Sequence, residues 1–189
     1  MAYEIIQPPF TLKFQEMPQK ELRAYYQWFL GVIPARTAEL TSAVNGTAGF
    51  ELWQPDLSPE SLNPLGAWFA AQVEQRATTP GERQEFTESA AIPIPAPTEA
   101  LTNRTISLAM DVGMYMSQVF LRNHPSLRWK HGLGGKRSVD YGQPVLAGFG
   151  PMVFNPVRMC VTQAHGIVGG RHTGHGLREL YEIWTGMIG

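Results

Sequence analysis

One carboxylate stands out for its surroundings. Asp111 lies in the run Leu101 to Asn123, where apolar residues hold positions 101, 108, 109, 112, 115, 116, 119 and 120 and Met110, Met114 and Leu121 fill much of the remaining circumference. A carboxylate among such neighbours is costly to bury unless an ion pair or hydrogen bonds satisfy it. Two roles are open to Asp111: a general base or recognition acid, and a structural anchor, which is the expectation. On a helical wheel Arg104, Gln118 and Arg122 fall in its sector, so its partner is expected to be Arg104, Arg122 or a residue of another element.

A second cluster is His172 and His175, set in Gly169 to Gly176, with His165 nearby in the chain. Two imidazoles three residues apart offer two metal ligands, but zinc needs three or four on a fixed scaffold. A glycine-rich segment supplies no such scaffold, so a mobile surface loop and no bound metal or cofactor are expected. The stretch Gly132-Leu133-Gly134-Gly135-Lys136-Arg137-Ser138 has a phosphate-loop flavour, yet a Walker A spacing needs glycine at 130 and Ser or Thr at 137, where Lys130 and Arg137 stand. It reads instead as a basic hairpin tip of His131, Lys136 and Arg137, solvated or set against an acidic partner. Cys160, the one cysteine, lies in the apolar run Val157 to Val161 and reads as a small buried side chain rather than a nucleophile.

The elements that position these residues follow from periodicity and punctuation. From Pro18 to Ile33, apolar Leu22, Tyr25, Tyr26, Phe29 and Ile33 recur at helical spacing; Pro34 predicts an end or kink, with a second short helix from Ala35 to about Val44. Tyr25, Tyr26, Trp28 and Phe29 cannot all face one core stripe, so the exposed members, Tyr26 and Trp28 with Trp53 and Trp68 as further candidates, would form an aromatic protein-binding patch. Ser58-Pro59-Glu60 is a strong helix start. Residues 78–98, with Pro80, Pro93, Pro95 and Pro97, predict an extended connector without regular helix. Next comes the central helix, in which Gly113 and Ser117 form a small-residue notch. Leu127, Trp129 and His131 alternate with Arg128 and Lys130 as a half-buried strand, and 139–141 and 145–149 are expected to return as strands. Asn155-Pro156 starts a helix to about Val168, and 177–188 predicts a terminal one.

Three stretches carry a family resemblance: 21–36, with Tyr25-Tyr26-Gln27-Trp28-Phe29 and Ile33-Pro34-Ala35-Arg36; 58–62; and Asp111-Val112-Gly113-Met114-Tyr115 through Arg122-Asn123-His124-Pro125 to Trp129 and Gln143-Pro144-Val145-Leu146. Together they resemble a family of small bacterial, largely Gram-positive, proteins of unknown function, some of which look like immunity proteins of toxin systems. The resemblance carries no catalytic motif and implies no reaction.

Composition narrows the classes. The 189 residues, 43% hydrophobic, are enough to bury roughly 70% of the unfolded surface. A net charge of −1 gives no general attraction for nucleic acid or anionic membranes. The solitary cysteine and a start without the basic and apolar regions of a signal peptide point to the cytoplasm. The expected fold is α+β, mainly helical, with a central buried helix against a small antiparallel sheet, and the expected organisation a helical lobe (1–77), a connector (78–99) and an α+β lobe (100–189) in one compact body. The expected function is binding of a protein such as a cognate toxin, with Lys136, Arg137, Tyr26 and Trp28 as contacts. The alternatives are a small enzyme or metal-binding protein built on Asp111, His165, His172 and His175, and a structural homo-oligomer.

Overall fold

The computed structural model describes residues 3–90 and 92–189, so the first two residues of the chain start and residue 91 of the connector lie outside it. Helix α1 (Gln19–Asn45) buries Leu22, Tyr25, Phe29, Ile33, Leu40 and Val44, a stripe at i, i+3, i+4 and i+7 spacing. Pro34 does not interrupt it. Its ring lies on the exposed side, where a carbonyl left without an amide partner is open to hydration.

Ser58 caps a 3-10 turn, Pro59–Ser61, by accepting a hydrogen bond from the Ser61 amide at 3.2 Å, and α2 (Leu62–Gln72) follows. Strands β1 (Gln75–Ala77) and β2 (Glu99–Leu101) pair antiparallel, with Gln75 opposite Leu101. Between them stands α3 (Pro80–Ser89), which corrects the expectation of a connector without regular helix. Pro80 sits at the first helical position, where its missing N–H costs nothing. Thr79 and Glu82 complete a capping box, the Thr79 hydroxyl accepting from the Glu82 amide and the Glu82 carboxylate from the Thr79 amide.

Helix α4 (Asn103–Asn123) is the centre of the molecule and is shared by two apolar clusters. Met110 and Met114 meet Leu22, Tyr25, Phe29 and Ile33 of α1 on one side. On the other, Leu108, Val112, Tyr115, Val119 and Phe120 meet α2, the second sheet and the last two helices. Each large side chain so buried contributes about 1.5–3 kcal/mol. Residues on both sides of the expected connector, from Leu40 to Trp184, fall in that second cluster, so they share one core.

The second sheet runs β3 (Arg128–His131), β4 (Pro144–Phe149), β5 (Met152–Phe154), all antiparallel. The expected strand at 139–141 is a turn. The Gly132 amide bonds the Gln143 carbonyl at 2.9 Å and the Gly142 amide bonds the Gly132 carbonyl at 2.7 Å, closing the loop so that the ladder ends at His131 opposite Pro144. Phe120 packs on Phe149 and Phe154, with ring centroids 5.5 and 5.0 Å apart, joining α4 to this sheet in the α+β arrangement.

Asn155 caps α5 (Pro156–Val168), its Oδ1 accepting from the Arg158 amide at 3.0 Å. The notch at Gly113 receives this helix start: a Cβ there would lie 2.7 Å from the Pro156 carbonyl oxygen. Helix α6 (Gly176–Thr185) closes the fold against α2. Among the described residues no helix is long and apolar enough to cross a membrane.

Candidate functional site

Asp111 finds its partner on another element. Arg36 of α1 grips the carboxylate with two bonds, Nε to Oδ1 at 2.9 Å and Nη2 to Oδ2 at 2.7 Å, and the Tyr3 hydroxyl donates to the same Oδ2. Arg36 also donates to the Glu4 carbonyl at 2.8 Å, and Ser107 Oγ accepts the Ile6 amide at 2.8 Å, so the node ties the N-terminal segment, α1 and α4 together. Asp111 is fully buried and the Arg36 side chain 12% exposed. Burial pushes the Asp111 carboxyl up, against the downward pull of Arg36 and Tyr3. Burial disfavours the Arg36 cation, but its bonds to Asp111 more than offset this and hold the guanidinium above its usual range. With guanidinium and phenol on its oxygens, this carboxylate is placed to anchor rather than to take a proton from a substrate.

Arg104 and Arg122 are not its anchors. They stand seven and eleven residues from Asp111, about 10 and 16 Å along the helix axis, beyond a shared hydrogen bond. Arg104 instead donates to Gln72 Oε1 at 2.8 Å and lies over the Tyr3 ring, while Arg122 is exposed. A sequence signal for Arg36 did exist: it falls between Ile33 and Leu40 on the stripe of α1, a cation in one apolar stripe matching a carboxylate in another.

The histidines lie elsewhere. His165, His172 and His175 are all exposed, and the His172 ring packs over Gly166 of α5. Among the described residues no group of three or more His, Cys, Asp or Glu side chains is arranged to hold a metal ion. Nor is the glycine-rich segment free of the body. A Cβ on Gly66 of α2 would lie 2.2 Å from the Gly174 carbonyl oxygen, and one on Gly174 would lie 2.7 Å from the Ala67 Cα, so backbone packs directly on backbone there.

The basic tip is the better-built feature. At its base, Asp140 accepts from Asn155 Nδ2 at 3.0 Å and Arg158 Nε at 2.9 Å, and Asn155 Nδ2 also donates to Gln143 Oε1 at 2.8 Å. Gly142, at φ +75°, packs on Leu22 and Phe14, and Gln19 Nε2 donates to the Tyr141 hydroxyl at 3.0 Å. The tip is thus clamped between α1 and α5. His131 donates from Nε2 to the Gly142 carbonyl at 3.2 Å, and its ring stacks on Tyr26 with centroids 4.8 Å apart and planes 21° apart. Burial lowers the His131 pKa, the bond to the Gly142 carbonyl opposes this in part and the nearby Arg23 lowers it further. Above this base, 133–139 stand exposed with Lys136 and Arg137, and Lys130 is exposed on the adjoining edge strand.

Tyr26 therefore joins the tip and Trp28 does not. The two lie about 200° apart around α1, and Trp28 packs instead on Phe10 and Tyr25 at centroid distances of 5.8 and 5.7 Å. Trp53 and Trp68, the other aromatic candidates, are buried, each indole N–H satisfied, by the Ser61 carbonyl and the Thr47 hydroxyl respectively.

Charge is sharply segregated along the chain, a signal that net charge conceals. Residues 112–178 hold eight of the fifteen Lys and Arg, all five His and a single acid, Asp140, which is itself paired with Arg158. The other 122 residues carry fifteen of the sixteen acids. Among the described residues Arg23, Arg128, Lys130, Lys136 and Arg137 form no ion pair. No family model matches the sequence, and neither the curated proteins nor the solved structures provide a match.

Proposed function

We propose that the chain is a cytoplasmic, non-catalytic binding protein whose basic tip docks on an acidic patch of another protein. One observation carries this reading: unpaired cations stand exposed on a loop whose base is held by a hydrogen-bond network and an aromatic stack. Ordering such a loop before binding removes an entropic cost that a flexible basic segment would meet on docking. Charge complementarity at this surface steers encounter and selects partners. An acidic protein fits better than nucleic acid, because a phosphate backbone is held by many cations in a stripe, whereas most of this chain is acidic and would repel a long polyanion. The resemblance to bacterial proteins with immunity-like members makes a cognate toxin the natural form of that partner.

Affinity capture from the source organism, at low salt and after nuclease treatment, tests this with wild type and Lys136→Glu/Arg137→Glu side by side. The expected result is a stoichiometric acidic protein on the wild type, held at least about tenfold more weakly by the variant. Equal recovery on both, or recovery of nucleic acid in its place when nuclease is omitted, would overturn the reading.

A further inference from the structure

A second surface complements the tip. The loop after α1 and the start of α2 enclose an open groove of about 400 Å³, lined by Phe50, Trp53 and Pro64 with Leu52 at its edge. Leu52 is 88% exposed, the most exposed large apolar side chain among those described. Asp56 and Glu60 also line the groove, and Glu51 flanks it. Arg178 lies 3.3 Å from Glu60 but is shared with Glu182 at 2.7 Å, so carboxylates stay in excess there.

We infer that this groove receives the basic tip of a second copy of the same chain. The two surfaces match in character. The tip presents Leu133 at 42% and Val139 at 64% exposure beside Lys136 and Arg137; the groove presents Leu52 and Phe50 beside Glu51, Asp56 and Glu60. Apolar surface meets apolar surface while cation meets carboxylate, the pairing that favours a specific contact over loose adhesion. No residue of the tip lines the groove within one molecule, and the network with Asn155 and Arg158 fixes the tip's base, so a tip seated there belongs to another copy. Tip into groove is a head-to-tail contact, which closes into a ring or continues as a chain of subunits. One loop in one open groove buries little area, so the association is weak, salt-sensitive and concentration-dependent. It goes beyond the proposed function and competes with it, because a tip seated in a neighbour's groove is withheld from a partner.

Sedimentation velocity on the pure chain tests this without any partner, so failure here leaves the proposed function standing. Two charge reversals divide the contact: Lys136→Glu/Arg137→Glu on the tip, and Glu51→Lys/Glu60→Lys on the groove. Asp56 is left intact because its Oδ1 accepts the Ser58 amide at 2.8 Å and shapes the loop; Glu51 Oε2 likewise accepts the Gly49 amide at 2.9 Å, so Glu60→Lys alone is run beside the double reversal and should weaken association in the same direction. All four positions are exposed, and circular dichroism confirms that each variant is folded. Wild type should gain mass with rising concentration at low salt, each variant alone should remain monomeric, and an equimolar mixture of the two should associate again. Leu52→Ser should weaken the wild-type association about tenfold, with the charges untouched. A wild type that stays monomeric throughout, association that survives either reversal, or a mixture that fails to associate would overturn the inference.

Discussion

The pair Arg36 and Asp111 separates structural anchoring from chemistry in a way that substitution can read. Arg36→Leu leaves a fully buried carboxylate without its cation, and the expected loss is about 3–5 kcal/mol in urea unfolding. Tyr3→Phe removes one bond to the same carboxylate and should cost about 1.5 kcal/mol. Replacing both charges, Arg36→Met with Asp111→Leu, should recover much of the first loss, because the desolvation cost disappears with the charges. A loss below about 1 kcal/mol for Arg36→Leu would show that Asp111 does not depend on this partner. Cys160 gives a second residue-scale prediction. Complete burial pushes its thiol up to about 12, so almost no thiolate exists at neutral pH. An aromatic disulfide reagent should label it only as the chain unfolds; rapid stoichiometric labelling of the native protein would contradict that placement.

Among the elements, the contact of α4 with α5 rests on a missing side chain. Gly113→Ala improves helix propensity yet forces a methyl against the Pro156 carbonyl, and the net expectation is a loss of about 1–3 kcal/mol. Gly31→Ala, in exposed α1 with nothing within 4 Å of the added carbon, should instead stabilise by about 0.5–1 kcal/mol. Thermal unfolding of the two variants gives opposite signs if the close approach is real. The notch at Gly113 and Ser117, the central apolar helix, strand β3 and the Asn155-Pro156 helix start were all legible, because each depends on local periodicity or on one capping residue. Helix α3 was not, because four prolines across 78–98 outweighed the capping pattern of Thr79, Pro80 and Glu82. The expected strand at 145–149 is β4, whereas the one expected at 139–141 failed for another reason. Tertiary bonds from Gly132, Gly142 and Asn155 that no local pattern encodes hold that segment as a turn, and β5, which was not expected, is only three residues long. Of the candidate site, Lys136 and Arg137 were legible as a basic tip. The stacking of Tyr26 on His131 and the departure of Trp28 to the other side of α1 depend on how the helix is rotated against the sheet.

For the whole molecule, the net charge of −1 is the sum of a basic 67-residue block and an acidic remainder, and the fold sets the block's exposed tip on a rigid base. That arrangement is what supports the proposed docking of the tip on an acidic protein. Hydrogen exchange on the complex recovered by affinity capture tests that docking. Slowed exchange is expected at the amides of 130–139, together with the turn of α1 that carries Tyr26, and little change around 169–176. Slowed exchange confined to 169–176, or to the N-terminal segment beside Arg36 and Asp111, would contradict it.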